Sequence, residues 1–515
     1  MDNSIKKSKY YRPEWTVGRY NKEKRVAIMY NLIEGYSHFF EEYSADVIEF
    51  ILKTKRNNEV DINKITTTTY ISQESIHSFF EILCSVGLLT MEIPSKEGID
   101  NYRKICAERK KNNCHRSKST KDKLPMDIST AERSYFEAVE KNTLISSVMF
   151  ELTYNCSEKC IHCYNPGATR NDNEISYRNR REELQLNDYK RIIDELYDHG
   201  LVRVTLTGGD PFSKPIVWDI IEYLYQKEIV FDIFTNGQSI LNKIDKLASY
   251  YPHIVGISIY SGIPEVHDTI TRIKGSWEKS MSVIKQLSDL SVPMNIKCCV
   301  MQPNLHSYYM VANLAKQYGA EAQFEINITD SNEGDRCARQ LRLTENQLEV
   351  VLRDNNIKLY IGEEAPNFGG QAKDMNTNGC GAGHFSFCIT PEGNLQPCCS
   401  FPMILGNLKR QSFQNILEKN EYLEKWRQAT LNEYTECGKN EYCAYCNLCP
   451  GQGYIEHGSY LKPAESCCYM AKIRYNLAQK MKSGYNPLNG KEFVEALQGL
   501  PINNVKMRRI YDTKG

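Results

Sequence analysis

The sequence lacks net charge: 64 Lys+Arg stand against 64 Asp+Glu over 515 residues. A dedicated nucleic-acid binder carries a basic excess, so that class is disfavoured, although a local basic patch is not. Also missing is any apolar run near the ~20 residues that a membrane helix needs. The opening residues MDNSIKKSKYYRPEW place basic side chains before no apolar stretch, so no secretory signal is expected and the expected compartment is the cytoplasm. Apolar residues at 41% exclude a disordered chain and fit a globular one of about three domains. Cysteine, by contrast, is plentiful: there are 19. In a reducing compartment, clustered thiols point to metal rather than to disulfides.

Three regions separate by pattern. In residues 10–95, 26–32 and 36–41 read as a hairpin about Glu34-Gly35, and 88–93 as a closing strand. Val47, Ile48, Ile51 and Leu52 share a helical face, as do Ile76, Phe79, Phe80, Leu83 and Cys84 after a Ser72 N-cap. Short helices beside a β-wing describe a winged-helix-like α+β module, a shape that binds DNA or peptides. Residues 96–146 read as a basic linker, with nine Lys/Arg between 102 and 123. Strand candidates at 148–153, 203–207, 229–235, 254–260, 294–300 and 322–328 then alternate with helical faces. Repeated βα units imply a parallel sheet, and six of them a partial (β/α)6 barrel with ligands at the C-terminal strand ends. Residues 378–475 are loop-rich with ten cysteines, so metal is expected to hold them together. A helical tail occupies 476–515.

The first barrel strand runs into Cys156-x3-Cys160-x2-Cys163. Three thiols on one loop leave a zinc site one ligand short. A [4Fe–4S] cube held by three thiolates keeps one iron open to a small molecule. A zinc site or unligated thiols remain as alternatives. Thr207-Gly208-Gly209-Asp210-Pro211 ends the second strand, where glycines admit close backbone approach and a carboxylate suits an ammonium.

These residues resemble the radical S-adenosylmethionine (radical SAM) superfamily. The resemblance implies that Cys156, Cys160 and Cys163 hold a [4Fe–4S] cluster whose free iron is chelated by SAM. It also implies SAM contacts by His162, Gly208, Gly209, Asp210, Asn236, Ser258 and Arg272, and reductive cleavage to a 5′-deoxyadenosyl radical. The usual residue at 210 is Glu, and a surface ion pair is the plain alternative for Arg272. Cys380-x7-Cys388-x9-Cys398 and Cys437-x5-Cys443-x2-Cys446-x2-Cys449-x17-Cys467 resemble the SPASM extension, which implies two auxiliary [4Fe–4S] clusters. By that likeness Cys380, Cys388, Cys398 and Cys449 hold one and Cys437, Cys443, Cys446 and Cys467 the other. Cys399 and Cys468 are possible substitutes, and two zinc ribbons are the alternative.

The N-terminal module ahead of such a barrel resembles the leader-recognition element of peptide-modifying enzymes. The function implied is a radical SAM peptide maturase that installs a thioether, a C–C or C–O cross-link or an epimerised residue in a ribosomally made precursor. Its expected partners are that precursor and a reductant such as flavodoxin or ferredoxin; no membrane or nucleic acid is expected. The alternatives are a sulfatase-type maturase forming formylglycine and a non-enzymatic Fe–S redox sensor that binds DNA. Against the sensor, residues 76–85 carry Glu81 and no Lys or Arg. No residue stands out as a catalytic acid or base.

Overall fold

The computed structural model describes residues 8–112, 134–135, 137–139, 145–165, 182–354, 375–434 and 436–503. Its first unit is an antiparallel sheet, β1 (Thr16–Asn21), β2 (Val26–Asn31) and β3 (Tyr36–Glu41), in the order β1-β2-β3. The sequence reading found β2 and β3 but not β1, whose Gly18, Arg19 and Asn21 break the apolar alternation. A side chain at Gly18 would start 2.2 Å from the Ile28 carbonyl, so glycine permits this pairing. The expected strand over 88–93 reduces to one bridge between Tyr11 and Thr90.

Helices α1 (Glu42–Lys53), α2 (Ile62–Thr69) and α3 (Gln73–Ser85) cover one face of this sheet. Asp61 and Ser72 cap the latter two by accepting from the amides of Lys64 and Ser75. Ala27, Met29 and Phe40 pack there against Ile48, Phe80 and Leu83. The intervening residues Val26, Ile28 and Tyr30 point the other way and meet Val202, Val230 and Tyr251. All six β2 residues are therefore buried.

The linker expectation is corrected for its first third. Lys96–Asn112 is a helix, α4, whose Tyr102 donates to Glu34 at 2.8 Å and whose Cys106 is buried in the same cluster as Tyr30. Its charge-dense face reads as a linker because only one narrow stripe is apolar. Residues 113–133 lie outside the described residues.

Strands β4 (Ser147–Glu151), β5 (Arg203–Thr207), β6 (Val230–Thr235), β7 (Ile254–Ser258), β8 (Met294–Cys299) and β9 (Glu321–Glu325) are parallel neighbours in chain order. Helices α5 (Leu186–Asp198), α6 (Val217–Gln226), α7 (Ile244–Ala248), α8 (Pro264–Thr271), α9 (Ser276–Asp289) and α10 (Met310–Tyr318) cover their outer face. This is the α/β partial barrel the sequence implied. After α11 (Glu345–Leu352), β10 (Ser386–Ile389) pairs in parallel with β4, and β11 (Asn394–Gln396) and β12 (Gly406–Asn407) extend the sheet to nine strands.

The cysteine-rich region therefore shares the barrel's core. Phe387, Ile389, Phe401 and Trp426 belong to the same apolar cluster as Phe150 and Ile233. Helices α12 (Phe413–Glu418), α13 (Glu421–Gln428), α14 (Pro450–His457), α15 (Glu465–Lys482) and α16 (Gly490–Gln498) complete the chain. Metal is thus not the sole support expected for this region, since Trp426 and Phe413 are fully enclosed by side chains. The tail beyond residue 503 lies outside the described residues. No described helix is long and apolar enough to cross a membrane.

Candidate active site

The loop carrying Cys156, Cys160 and Cys163 leaves the C-terminal end of β4. The amides of Lys159 and Ile161 donate to the carbonyls of Thr271 and Ile270 at 3.0 Å, tying the loop to the end of α8. Gly208 and Gly209 hold it from the β5 side. A Cβ at Gly208 would lie 2.3 Å from the Thr153 carbonyl oxygen, and one at Gly209 would lie 2.4 Å from that of Asn155. Gly209 and Asp210 also donate their amides to those two carbonyls, at 2.6 and 2.9 Å. The glycine pair thus seats the cysteine loop itself, where close approach to a ligand had been expected.

Asp210 has a structural role as well. It is fully buried, and its carboxylate accepts from the Phe212 amide at 2.9 Å and from the Thr235 hydroxyl at 3.1 Å. It braces the ends of β5 and β6. Burial raises its pKa to about 6. Asn236 likewise spends its side-chain amide on the loop, donating to Cys156 Sγ at 3.4 Å and Ser157 Oγ at 3.0 Å.

Two expected contacts, Arg272 and Ser258, stand at element ends and are half-buried. Arg272 sits in a left-handed C-cap at the end of α8, next to Thr271, whose carbonyl anchors the loop. Among the described residues its guanidinium makes no ion pair, so the surface salt bridge is not what occupies it. Ser258 ends β7, half-buried, and hydrogen-bonds with Tyr260. His162 packs edge-on against Tyr260, with centroids 4.7 Å apart. Its Nδ1 is buried without a partner, and burial lowers its pKa to about 4, so the ring is neutral.

Glu158 and Tyr260 were not legible in the sequence. Cys160 Sγ donates to Glu158 Oε2 at 3.3 Å and lies 3.9 Å from the Tyr260 hydroxyl, while Gln238 donates to Glu158 Oε1 at 2.6 Å. Burial pushes Glu158 up to about 7 and Cys156 up to about 12. Ser157-Glu158-Lys159 reads as an ordinary polar loop, and only the fold turns Glu158 inward.

The remaining thiols form two groups. Cys380, Cys388, Cys398 and Cys449 are electrostatic neighbours around the β10–β11 turn and the start of α14. Cys399 Sγ lies 3.9 Å from Cys398 Sγ; hydrogen bonds from Cys399 and from nearby backbone amides favour the Cys398 thiolate. Cys437, Cys443, Cys446 and Cys468 line a cavity of about 400 Å³. Cys467, the expected ligand beside Cys468, is buried, meets Gln452 Oε1 at 3.8 Å and is an electrostatic neighbour of Cys446 and Cys468. The two are adjacent on one helix, and cysteine spacing alone does not choose between them.

The donor set is sulfur throughout, which fits an iron–sulfur cluster or zinc. Four thiolates on one zinc lie roughly 3.8 Å apart, as Zn–S bonds of ~2.3 Å require. Among the described residues no thiol triad is that tight; the set of three ligand atoms within 4.8 Å is Glu456, His457 and Glu465. Electrostatically coupled but wider-spaced thiols fit a multi-iron cluster.

Residues 150–306 match the model of the radical SAM superfamily, and 380–450 that of SPASM, an iron–sulfur cluster-binding domain. The chain is a radical SAM enzyme with a SPASM domain. A [4Fe–4S] cluster, SAM and auxiliary iron–sulfur clusters are its cofactors. The antilisterial bacteriocin subtilosin biosynthesis protein AlbA of Bacillus subtilis is 29% identical over 63% of this chain and 69% of its own length. The AdoMet-dependent heme synthase of Methanosarcina barkeri is 26% identical over 62% of this chain and 96% of its own. In fold, Streptococcus suis SuiB bound to S-adenosylmethionine matches 89% of this chain and 99% of that one, with TM-score 0.50 at 13% identity. The structure of anSMEcpe with bound AdoMet and Cp18Cys peptide matches 65% and 97%, with TM-score 0.50 at 16% identity.

Proposed function

We propose that this radical SAM/SPASM enzyme is a peptide maturase that modifies a ribosomally made precursor in a reducing cytoplasm, by thioether formation, C–C or C–O cross-linking, or epimerisation. The observation that carries this reading is the pairing of a thiol-loaded barrel mouth with a separate sheet whose outer strand β3 pairs with β2 alone among the described strands. An added peptide strand would extend this sheet by backbone hydrogen bonds. The subtilosin biosynthesis relative and the peptide-bound fold neighbour support peptide as substrate. The subtilosin and heme synthase relatives each leave over a third of this chain unmatched.

Cys156, Cys160 and Cys163 would hold the SAM-binding cluster. Cys380, Cys388, Cys398 and Cys449 would hold one auxiliary cluster, and Cys437, Cys443, Cys446 and Cys468 the other. Bound at the first site, cluster and SAM supply, on one-electron reduction by a flavodoxin or ferredoxin, a radical able to remove hydrogen from an unreactive C–H bond. The chain's own part is positional. Gly208, Gly209, Asn236, the Ile270 and Thr271 carbonyls at the end of α8 and Glu158 fix the loop, Arg272 and Ser258 line its rim, and the barrel wall keeps water from the reacting centre.

The module meets the N-terminal ends of the strands, whereas the thiol loop lies at their C-terminal ends. A strand of five to six residues spans roughly 17–20 Å. A leader bound on β3 must therefore be separated from the modified residue by at least roughly six extended residues, and more for the detour around the barrel.

The test incubates anaerobic holoenzyme, SAM and dithionite with peptides from small reading frames flanking the gene. Formation of 5′-deoxyadenosine with loss of a hydrogen pair from a peptide, or solvent deuterium in it, supports the reading. Cleavage of SAM that leaves every such peptide unchanged, with a Cys-containing sulfatase peptide oxidised instead, would move the assignment to the formylglycine class.

A further inference from the structure

The inner face of the barrel sheet is less completely covered than its outer face. Along the strands, Val148, Val204, Ile233, Val255 and Ile296 face the helices and are at most 1% exposed. Their neighbours Met149, Thr205, Phe234, Ser258 and Lys297 point the other way and stay partly exposed. That alternation describes a chamber reachable from outside, just below the cysteine loop.

One cation stands in that chamber. The Lys297 ammonium lies 3.5 Å from the centre of the Phe234 ring. Gly256, between them on β7, makes the stack possible: a Cβ there would come within 2.7 Å of Lys297 Cε and 2.8 Å of Phe234 Cδ1. Among the described residues the ammonium has no hydrogen bond and no ion pair. Asp232, the closest acid in charge terms, is engaged from below by His253 at 2.8 Å and Arg203 at 3.6 Å. The other groups that feel Lys297 are the thiols of Cys299 and Cys399. A part-buried ammonium pays a desolvation cost that an aromatic face offsets only in part. An arriving anion would offset the rest.

We propose that Lys297 anchors a carboxylate of the substrate, so that the segment entering the barrel carries an acidic side chain or a terminal carboxylate. The ion pair fixes that segment's depth below the cysteine loop, which sets which C–H bond is presented. Lys297 is a positioning residue. The inference rests on the maturase reading for the identity of the segment, but not for the anchor itself.

The experiment measures binding to the reconstituted holoenzyme with SAM present, by ligand-observed NMR. Three probes are used: N-acetylglutamic acid α-amide, N-acetylalanine, and the neutral N-acetylglutamine α-amide. Wild type should prefer a carboxylate probe over the neutral one at least tenfold, and the better of the two acids tells a side-chain carboxylate from a terminal one. Lys297→Met should abolish the preference, Lys297→Arg should keep it, and Phe234→Leu should reduce it by a smaller factor. Iron content and SAM affinity are the integrity controls. Equal binding of acid and neutral probes by wild type overturns the proposal, as does an undiminished preference in Lys297→Met. Loss of SAM affinity in Lys297→Met, with Lys297→Arg restoring it, also overturns it by assigning the ammonium to the carboxylate of SAM. Failure to modify any peptide, with the carboxylate preference intact, would sink the maturase reading and leave the anchor standing.

Discussion

At the N-terminal ends of the barrel strands, Trp15, Tyr30, Val202, Val230 and Tyr251 shut one another off from solvent. At the C-terminal ends, Cys156, Cys160, Cys163, Ser258 and Arg272 remain part-exposed, and His162 Nδ1 is left without a partner. The lower face is an interface between two cores, held by packing and by Arg12, which reaches Glu228 and donates to the carbonyls of Leu52 and Thr54 at 2.8 Å. The upper face carries polar groups whose surroundings leave them incompletely satisfied. Among the described residues both ends leave some buried polar atoms without a hydrogen bond, Arg12 Nε and Arg56 Nε below and His162 Nδ1 above, but only the upper end sets them beside part-exposed thiols at the strand ends where ligands bind.

Five changes probe this contrast. The largest effect is expected from replacing Cys156, Cys160 and Cys163 together by Ala. SAM cleavage should vanish and about a third of the iron should be lost, as three cubanes of four irons require. Thermal stability should change little, because backbone bonds to Thr271 and Ile270 still hold the loop. Iron analysis and 5′-deoxyadenosine yield check both parts.

Gly209→Ala comes next. Its methyl would start 2.4 Å from the Asn155 carbonyl oxygen and 2.6 Å from that of Tyr154, so the loop must move. Overpacking of this kind costs about 1–3 kcal/mol. SAM cleavage should fall far more than the melting temperature does.

Trp15→Ala acts at the opposite end. Trp15 is buried, and its indole donates to the Gly87 carbonyl at 2.9 Å. Its loss should cost about 3–5 kcal/mol, measured by denaturant unfolding. SAM cleavage per folded molecule should persist. The same contact predicts that removing residues 1–93 exposes the apolar lower face and lowers soluble yield, contrary to what an intervening linker would allow.

The effect that is smallest at neutral pH appears only on acidification. Burial lowers the His38 pKa from 6.5 to about 4. The folded value lies below the unfolded one, so between these limits the unfolded chain binds more protons. Stability is therefore lost as pH falls from about 6.5 toward 4, by up to ~1.4 kcal/mol per pH unit for one histidine. His38→Phe should flatten that slope in urea titrations at successive pH values.

Much of the fold was legible because the barrel's pattern is strong. Residues 203–207 form β5 as read, and the other five barrel strands are displaced by one to three residues at their ends. Parallel strands covered by helices leave dense apolar runs. β1 escaped notice because Gly18 and Arg19 interrupt its alternation, and α4 because its buried stripe is little more than Tyr102 and Cys106. At the site, the thiols were legible from spacing. The roles of Gly208, Gly209 and Asp210 were not, because a motif does not say whether its backbone approaches a ligand or the chain's own neighbouring loop. Spacing does not separate Cys467 from Cys468 because they are neighbours on one helix.

The central claim is that a peptide is held at one end of the barrel and altered at the other. Amide hydrogen exchange of the holoenzyme with SAM, with and without its precursor peptide, tests this most directly. The account predicts slowed exchange in two separated places: the β3 amides over Tyr36–Glu41 at the lower end, and the loop around Cys156 at the mouth. Protection at the mouth with β3 unchanged would contradict it.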